Sequence, residues 1–323
     1  MAYRRRISQK RQAASQKGYT LVELMVSLAV GVMVMGAAAA AYLSISESQR
    51  SLTEKSYAAE SARFAMETLG REIQNAGFYP IDEVTSTTQV SPLTPQSAVP
   101  IGSFATAAES NPVTSPEHLR SPVFGCSSKK IDATKTTSVC IAHTIYSPAV
   151  DADTLVASYY TDDNFGKDRG NNTDCARATP AAVSGSNGKL FFISNSYTLT
   201  PVTLKLEGNT IKTFGLACAG SASPVNNYVP LITGIEQLRL SYLVQSETTA
   251  QFKSADSVLA TEWNKVVAVK VCLVARSLQN VRLQASSYSF KDCSDATQTF
   301  ANGIERKRYT QIFAVKNATL ATP

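Results

Sequence analysis

Between Leu24 and Ile45 the chain carries no charged side chain. Twenty-two residues at about 1.5 Å rise make roughly 33 Å of helix, enough to cross the hydrocarbon core of a bilayer. The segment can therefore span a membrane. Glu23 stands at its threshold, where an ionised carboxylate is costly and becomes less so toward the interface. Such a group needs a partner.

The residues in front of the run are Lys17-Gly18-Tyr19-Thr20-Leu21-Val22-Glu23-Leu24, preceded by a basic leader. This arrangement resembles the class III signal of type IV pilins and pseudopilins. The resemblance implies a cut between Gly18 and Tyr19 by a membrane-embedded prepilin peptidase and methylation of the new Tyr19 amine. It also implies a role for Glu23, at the fifth mature position, in engaging the amine of a neighbouring subunit. An ordinary secretory signal has a similar polarity, with Ala37 to Ala41 as small residues for cleavage, but its apolar core is usually shorter. A plain transmembrane anchor accounts for the run but not for Gly18, Tyr19 and Glu23 together.

The formal charge of +6 suggests an acidic partner only until its distribution is examined. Arg4, Arg5, Arg6, Lys10, Arg11 and Lys17 all precede Tyr19, so 25 of the 31 basic side chains remain in the mature chain against 25 acidic ones. The basicity belongs to the leader, where it holds the amino-terminal flank on the cytoplasmic side. A neutral mature chain lacks the footprint that phosphate binding requires, so nucleic acid is not an expected partner. The short run Arg306-Lys307-Arg308 is read as a solvated rim.

Six cysteines, Cys126, Cys140, Cys175, Cys218, Cys272 and Cys293, follow the apolar segment. None forms CxxC and none has a histidine at a zinc-like spacing. Outside the cytoplasm such a set reads as up to three disulfides. Short loops close most easily, which favours Cys126 with Cys140 and Cys272 with Cys293, leaving Cys175 with Cys218.

All 13 prolines fall at Pro80 or later, which permits one continuous helix from Tyr19 to Ala76. Its second half is amphipathic, with Ala58, Ala62, Ala65, Leu69, Ile73 and Ala76 on one face and Glu60, Arg63, Glu67, Arg71 and Gln74 on the other. Gly77 and Pro80 end it. Gly31, Gly36 and Gly70 are soft points that close helix packing would explain. Residues 78–125 read as a long loop or insertion, rich in Pro, Ser and Thr, with a few short strands. Strand-like runs follow at Val139 to Tyr146, Thr154 to Tyr160, Lys189 to Ser194, Thr203 to Leu206, Thr210 to Phe214, Val266 to Ala275 and Ile312 to Val315. Val266 to Ala275 is apolar on both sides, as a central strand would be, and Trp263 reads as a core anchor. The Asp-rich stretch Thr161 to Asp174 departs from the spacing of a calcium loop and is read as a solvated turn. No cofactor or metal site is expected.

Leu231-Ile232-Thr233-Gly234-Ile235-Glu236-Gln237-Leu238 resembles a stretch of PilW-type minor pilins and of the related J-type pseudopilins. Trp263 to Val271, Arg63 to Phe78 and Arg308 to Asn317 continue the resemblance in order. It implies an α+β pilin-like fold: a leader (1–18), a transmembrane half-helix (19–45), an amphipathic half-helix (46–77), the insertion (78–125) and a disulfide-containing, β-rich periplasmic domain (126–323). It also implies partners: other minor pilins, the major pilin, the prepilin peptidase, the inner-membrane assembly platform and membrane lipid. The implied location is the inner membrane as a single-pass protein, and then the pilus. His118 and His143 stand in no catalytic motif, and there is no GxSxG, phosphate loop or HExxH, so an enzyme is not expected. The alternatives are a minor pseudopilin of a type II secretion system and a pilus-tip adhesin.

Overall fold

A proline-free run of good helix formers followed by short β-branched segments builds one long helix and a set of antiparallel sheets. The structure is a computed structural model, describing residues 18–78, 122–131, 140–142, 151–162, 172–180, 182–183, 190–206, 208–220, 227–246, 248–281 and 287–318. The chain divides into two units, residues 1–49 and 50–323. Helix α1 (Leu21–Asn75) begins in the first unit and is the first element of the second.

In the second unit α1 buries Ala58, Ala62, Ala65, Leu69 and Ile73, with Ala76 just beyond its end. These are the positions the three-to-four-residue spacing picks out, and the small side chains allow a close approach to the sheet. Gly77 sits in the left-handed region (φ 79°) and its N–H donates to Ser158 O at 2.8 Å. The last turn is therefore fastened to a strand. Asn317 Nδ2 donates to the carbonyls of Gln74 (3.4 Å) and Ala76 (3.2 Å), satisfying helix-end acceptors that otherwise lack partners.

The strands are β1 (Val123–Cys126), β2 (Lys129–Ile131), β3 (Cys140–Ala142), β4 (Asp151–Ala152), β5 (Thr154–Asp162), β6 (Ala182–Val183), β7 (Leu190–Leu206), β8 (Asn209–Gly220), β9 (Val229–Thr233), β10 (Ile235–Gln245), β11 (Ala250–Lys253), β12 (Val266–Arg276), β13 (Tyr288–Lys291), β14 (Thr297–Phe300) and β15 (Arg306–Ala314). One sheet has the order β1-β5-β7-β8-β9 with β6 beside β7; the second has β11-β10-β12-β15 with β4 beside β10. Two hairpins, β2–β3 and β13–β14, stand apart. Strand β12 is central, and Ala268, Val269, Val271, Cys272, Leu273, Val274 and Ala275 are all buried. Trp263 packs between Phe124 (centroids 4.7 Å) and Tyr242 (4.8 Å).

Two runs read from the sequence as separate strands, Lys189 to Ser194 and Thr203 to Leu206, are one 17-residue strand, β7. The polar Asn195 and Ser196 and the proline Pro201 lie between the two runs. The ladder with β5 ends at Leu155↔Tyr197, so beyond that point β7 has β8 on one side only, and a residue without an N–H is tolerated on an open edge. Of Val139 to Tyr146, only Cys140–Ala142 is described, as β3, and residues 79–121 lie outside the described residues.

The chain changes sheet at Asp153, between β4 and β5, and at Gly234, between β9 and β10. Asp153 is 2% exposed, and its carboxylate accepts from Ser128 N (2.8 Å), Arg239 Nη1 (2.9 Å) and Leu240 N (2.7 Å). A buried charge with that many donors pins β10 to the crossing.

Candidate processing and assembly site

In the first unit, Gly18, Tyr19 and Thr20 lead into α1, and no side chain from Gly18 to Gln49 is buried. Leu21, Val22, Leu24, Met25, Val26 and Leu28 are all exposed, and Tyr19 is 87% exposed. This is the one helix among the described residues long and apolar enough to cross a membrane. So large a bare apolar surface calls for lipid or other helices.

Glu23 has a local partner that the sequence reading passed over. Its Oε2 accepts from Thr20 N (3.1 Å) and Thr20 Oγ1 (3.2 Å), and Glu23 N donates back to Thr20 Oγ1 (3.3 Å). This is a capping box, with Thr20 as the capping residue and Glu23 three positions on. The signal was present as Thr20-Leu21-Val22-Glu23 just before an apolar run. Both bonds to the carboxylate fall on Oε2; among the described residues Oε1 takes none. Ser27 Oγ donates to Glu23 O at 2.7 Å.

The stretch around Gly234 is a structural joint. Gly234 has φ 84°, a conformation that L side chains resist; its N–H donates to Phe214 O and its carbonyl accepts from Arg276 N, both at 2.8 Å. Glu236 accepts from Arg306 Nε (2.6 Å) and Arg276 Nη1 (3.1 Å). All three side chains are largely buried. The reading of Arg306-Lys307-Arg308 as a solvated rim is therefore corrected at Arg306, whose guanidinium serves this ion triad. Helix residue Glu54 adds a further carboxylate, accepting from Leu278 N and Gln279 N at 2.9 Å, and Tyr57 Oη meets Thr233 Oγ1 at 2.6 Å. Helix and joint are locked together by polar contacts that alternation of apolar residues does not reveal.

The structure joins Cys126 to Cys140, Cys175 to Cys218 and Cys272 to Cys293. The solvated-turn reading of Thr161 to Asp174 fails at its end: Asp174 is buried and its Oδ1 accepts from Ala176 N and Ala178 N at 2.9 Å. Residues 163–171, like His118 and His143, lie outside the described residues. Among the described residues no cluster of His, Cys, Asp and Glu could hold a metal ion.

Comparison with known families gives two matches. A profile described as Type IV Pilus-assembly protein W matches residues 191–317, from β7 through β15 and including the Gly234 joint. A profile described as the prokaryotic N-terminal methylation motif matches residues 13–39, which hold Gly18, Tyr19 and Glu23. No curated protein matches the chain. Among solved structures, a type IV-like pilin from Thermus thermophilus is similar at 13% identity over 80% of this chain and 96% of that one, with a TM-score of 0.34. That likeness is too distant to argue from. A PilW domain over residues 191–317 and an N-terminal methylation motif over residues 13–39 indicate a minor pilin of type IV pilus assembly, a structural and not an enzymatic protein.

Proposed function

We propose that the prepilin peptidase cuts between Gly18 and Tyr19, that the Tyr19 amine is methylated, and that Glu23 then pairs with the amine of a neighbouring pilin. The observation that carries this is the state of Glu23: one carboxylate oxygen holds the helix cap while the other is open, at the mouth of an apolar helix with no covering of its own. Inside a bilayer, attraction between opposite charges is far stronger than in water, and an unpaired charge is penalised. The pairing therefore sets register between subunits. Packing of the apolar half-helix against those of other minor pilins and the major pilin does the rest.

In this reading the protein first sits in the inner membrane as a single-pass protein in contact with lipid and the assembly platform, its β domain in the periplasm. It then passes into the fibre or its tip. Three disulfides fit an oxidising compartment, and a basic leader fits a cytoplasmic amino terminus.

The test compares Glu23→Gln with Glu23→Ala. Glutamine keeps an acceptor for Thr20 but no charge. Both variants should be processed normally and both should fall by roughly tenfold or more in sheared filaments, the size of one lost desolvated ion pair. Normal entry of the glutamine variant would show that the cap, not the charge, is what assembly uses.

A further inference from the structure

The two strand orders end in β1, β9, β11 and β15, and the first three of these are blunted. Strands β1 and β11 have only four residues each, and β9 contains Pro230. Short edges and edge prolines are the devices by which proteins prevent unwanted pairing. Strand β15 is nine residues long, has no proline and keeps a regular register with β12 from Ala268↔Ala314 to Arg276↔Arg306.

The outer side of β15 can be read from its ladder. Val315 N donates to Val267 O and Ser277 N to Glu305 O, each at 2.9 Å. In an antiparallel pair, residues that bond across the ladder alternate with residues that point away. The odd-numbered residues thus bond to β12, and the N–H and C=O groups of Thr310, Ile312 and Ala314 face outward. Among the described residues none of these groups has a partner. Thr310, Gln311 and Ala314 are exposed, and Ile312 is 55% exposed.

We propose that this edge takes up an extended segment of another protein as an added strand, β-prone and uncharged at its centre and acidic at both flanks. The flanks follow from charge: Lys307 and Lys316 bracket the free stretch, both exposed, and neither forms an ion pair among the described residues. The same lysines disfavour a second copy of this edge. Antiparallel self-pairing centred on Ile312 sets Arg308 opposite Lys316, in-register parallel pairing sets each lysine against its like, and like charges placed opposite each other destabilise a sheet. Main-chain bonds supply affinity and the flanking charges select the partner. The inference goes beyond the pilus reading and does not depend on it.

The test uses the full chain in detergent micelles and a synthetic peptide of alternating Val and Thr flanked at both ends by Asp and Glu. Hydrogen exchange at the amides of Thr310, Ile312 and Ala314 should slow on saturation with this peptide. A Lys-flanked peptide should leave it unchanged. Ile312→Pro removes an outward N–H without touching the ladder to β12, so it should weaken binding by roughly tenfold or more while leaving the thermal transition in place. Should that variant fail to fold, the surface change Lys307→Glu with Lys316→Glu reads the same interaction and should reverse the peptide preference. Unchanged exchange at the three amides, equal binding of both peptides, or concentration-dependent protection without peptide, which assigns the edge to self-association, would each overturn the proposal.

Discussion

Gly70 on α1 lies so close to Phe313 on β15 that a Cβ added to it would stand 2.3 Å from Phe313 Cε1. The helix rests on the edge strand at this point, and the contact joins the amphipathic stripe to the last strand of the sheet. Gly70→Ala gains about 1 kcal/mol of helix propensity but forces the ring aside, and overpacking costs roughly 1–3 kcal/mol. The net effect should be a lower midpoint in denaturant unfolding. Gly70→Ala combined with Phe313→Leu should recover part of the loss, which a purely conformational effect of the alanine would not allow.

Asp153→Ala leaves the Arg239 guanidinium and the Leu240 N–H without the carboxylate that both now bond. Removing one partner of a buried, hydrogen-bonded pair costs about 3–5 kcal/mol. Chemical denaturation should show a loss of that size, and Asp153→Asn, which keeps an acceptor, should lose less.

Glu72 gives the domain a pH dependence. Burial pushes its carboxyl above the ordinary 4.5, opposed by hydrogen bonds from Asn195 and Tyr197 and by the Arg71 charge; Asn195 Nδ2 donates to Glu72 Oε2 at 2.9 Å. A carboxyl with a raised folded pKa holds its proton more tightly folded than unfolded. Between 4.5 and the raised value, stability therefore falls as pH rises. Glu72→Gln should flatten that slope in thermal unfolding across the acid range, whereas an unchanged slope would place the titrating group elsewhere.

The apolar stripe of α1, its stop at Gly77, the central place of β12 and the burial of Trp263 were legible because burial imposes a period on the sequence. Glu72 was not seen, though it stands three residues after Leu69 and four before Ala76, within the stripe. A carboxylate there looks like a solvent residue unless its partners are known, and Asn195 and Tyr197 are more than a hundred positions away. Asp153 and Glu236 were opaque for the same reason: their donors come from segments distant in sequence. Thr20 was different. Its capping box is local and is legible in Thr20-Leu21-Val22-Glu23 alone.

The disulfide Cys175–Cys218 closes the longest loop of the three, with a separation of 43 residues, against 21 for Cys272–Cys293. Loop closure puts the former at about 4 kcal/mol and the latter at about 3 kcal/mol. Of the paired Cys→Ser variants, the one lacking Cys175–Cys218 should lose more resistance to proteolysis of the β domain than the one lacking Cys272–Cys293.

Whether this protein is cut at Gly18 and passes into a filament is read most directly by intact-mass and amino-terminal analysis of the protein from membranes and from sheared surface filaments. The expected result is a chain beginning at Tyr19, with a methylated amine, in both fractions. A full-length chain, or one cut among Ala37 to Ala41 and absent from filaments, would rule out cleavage at Gly18 and entry into the filament.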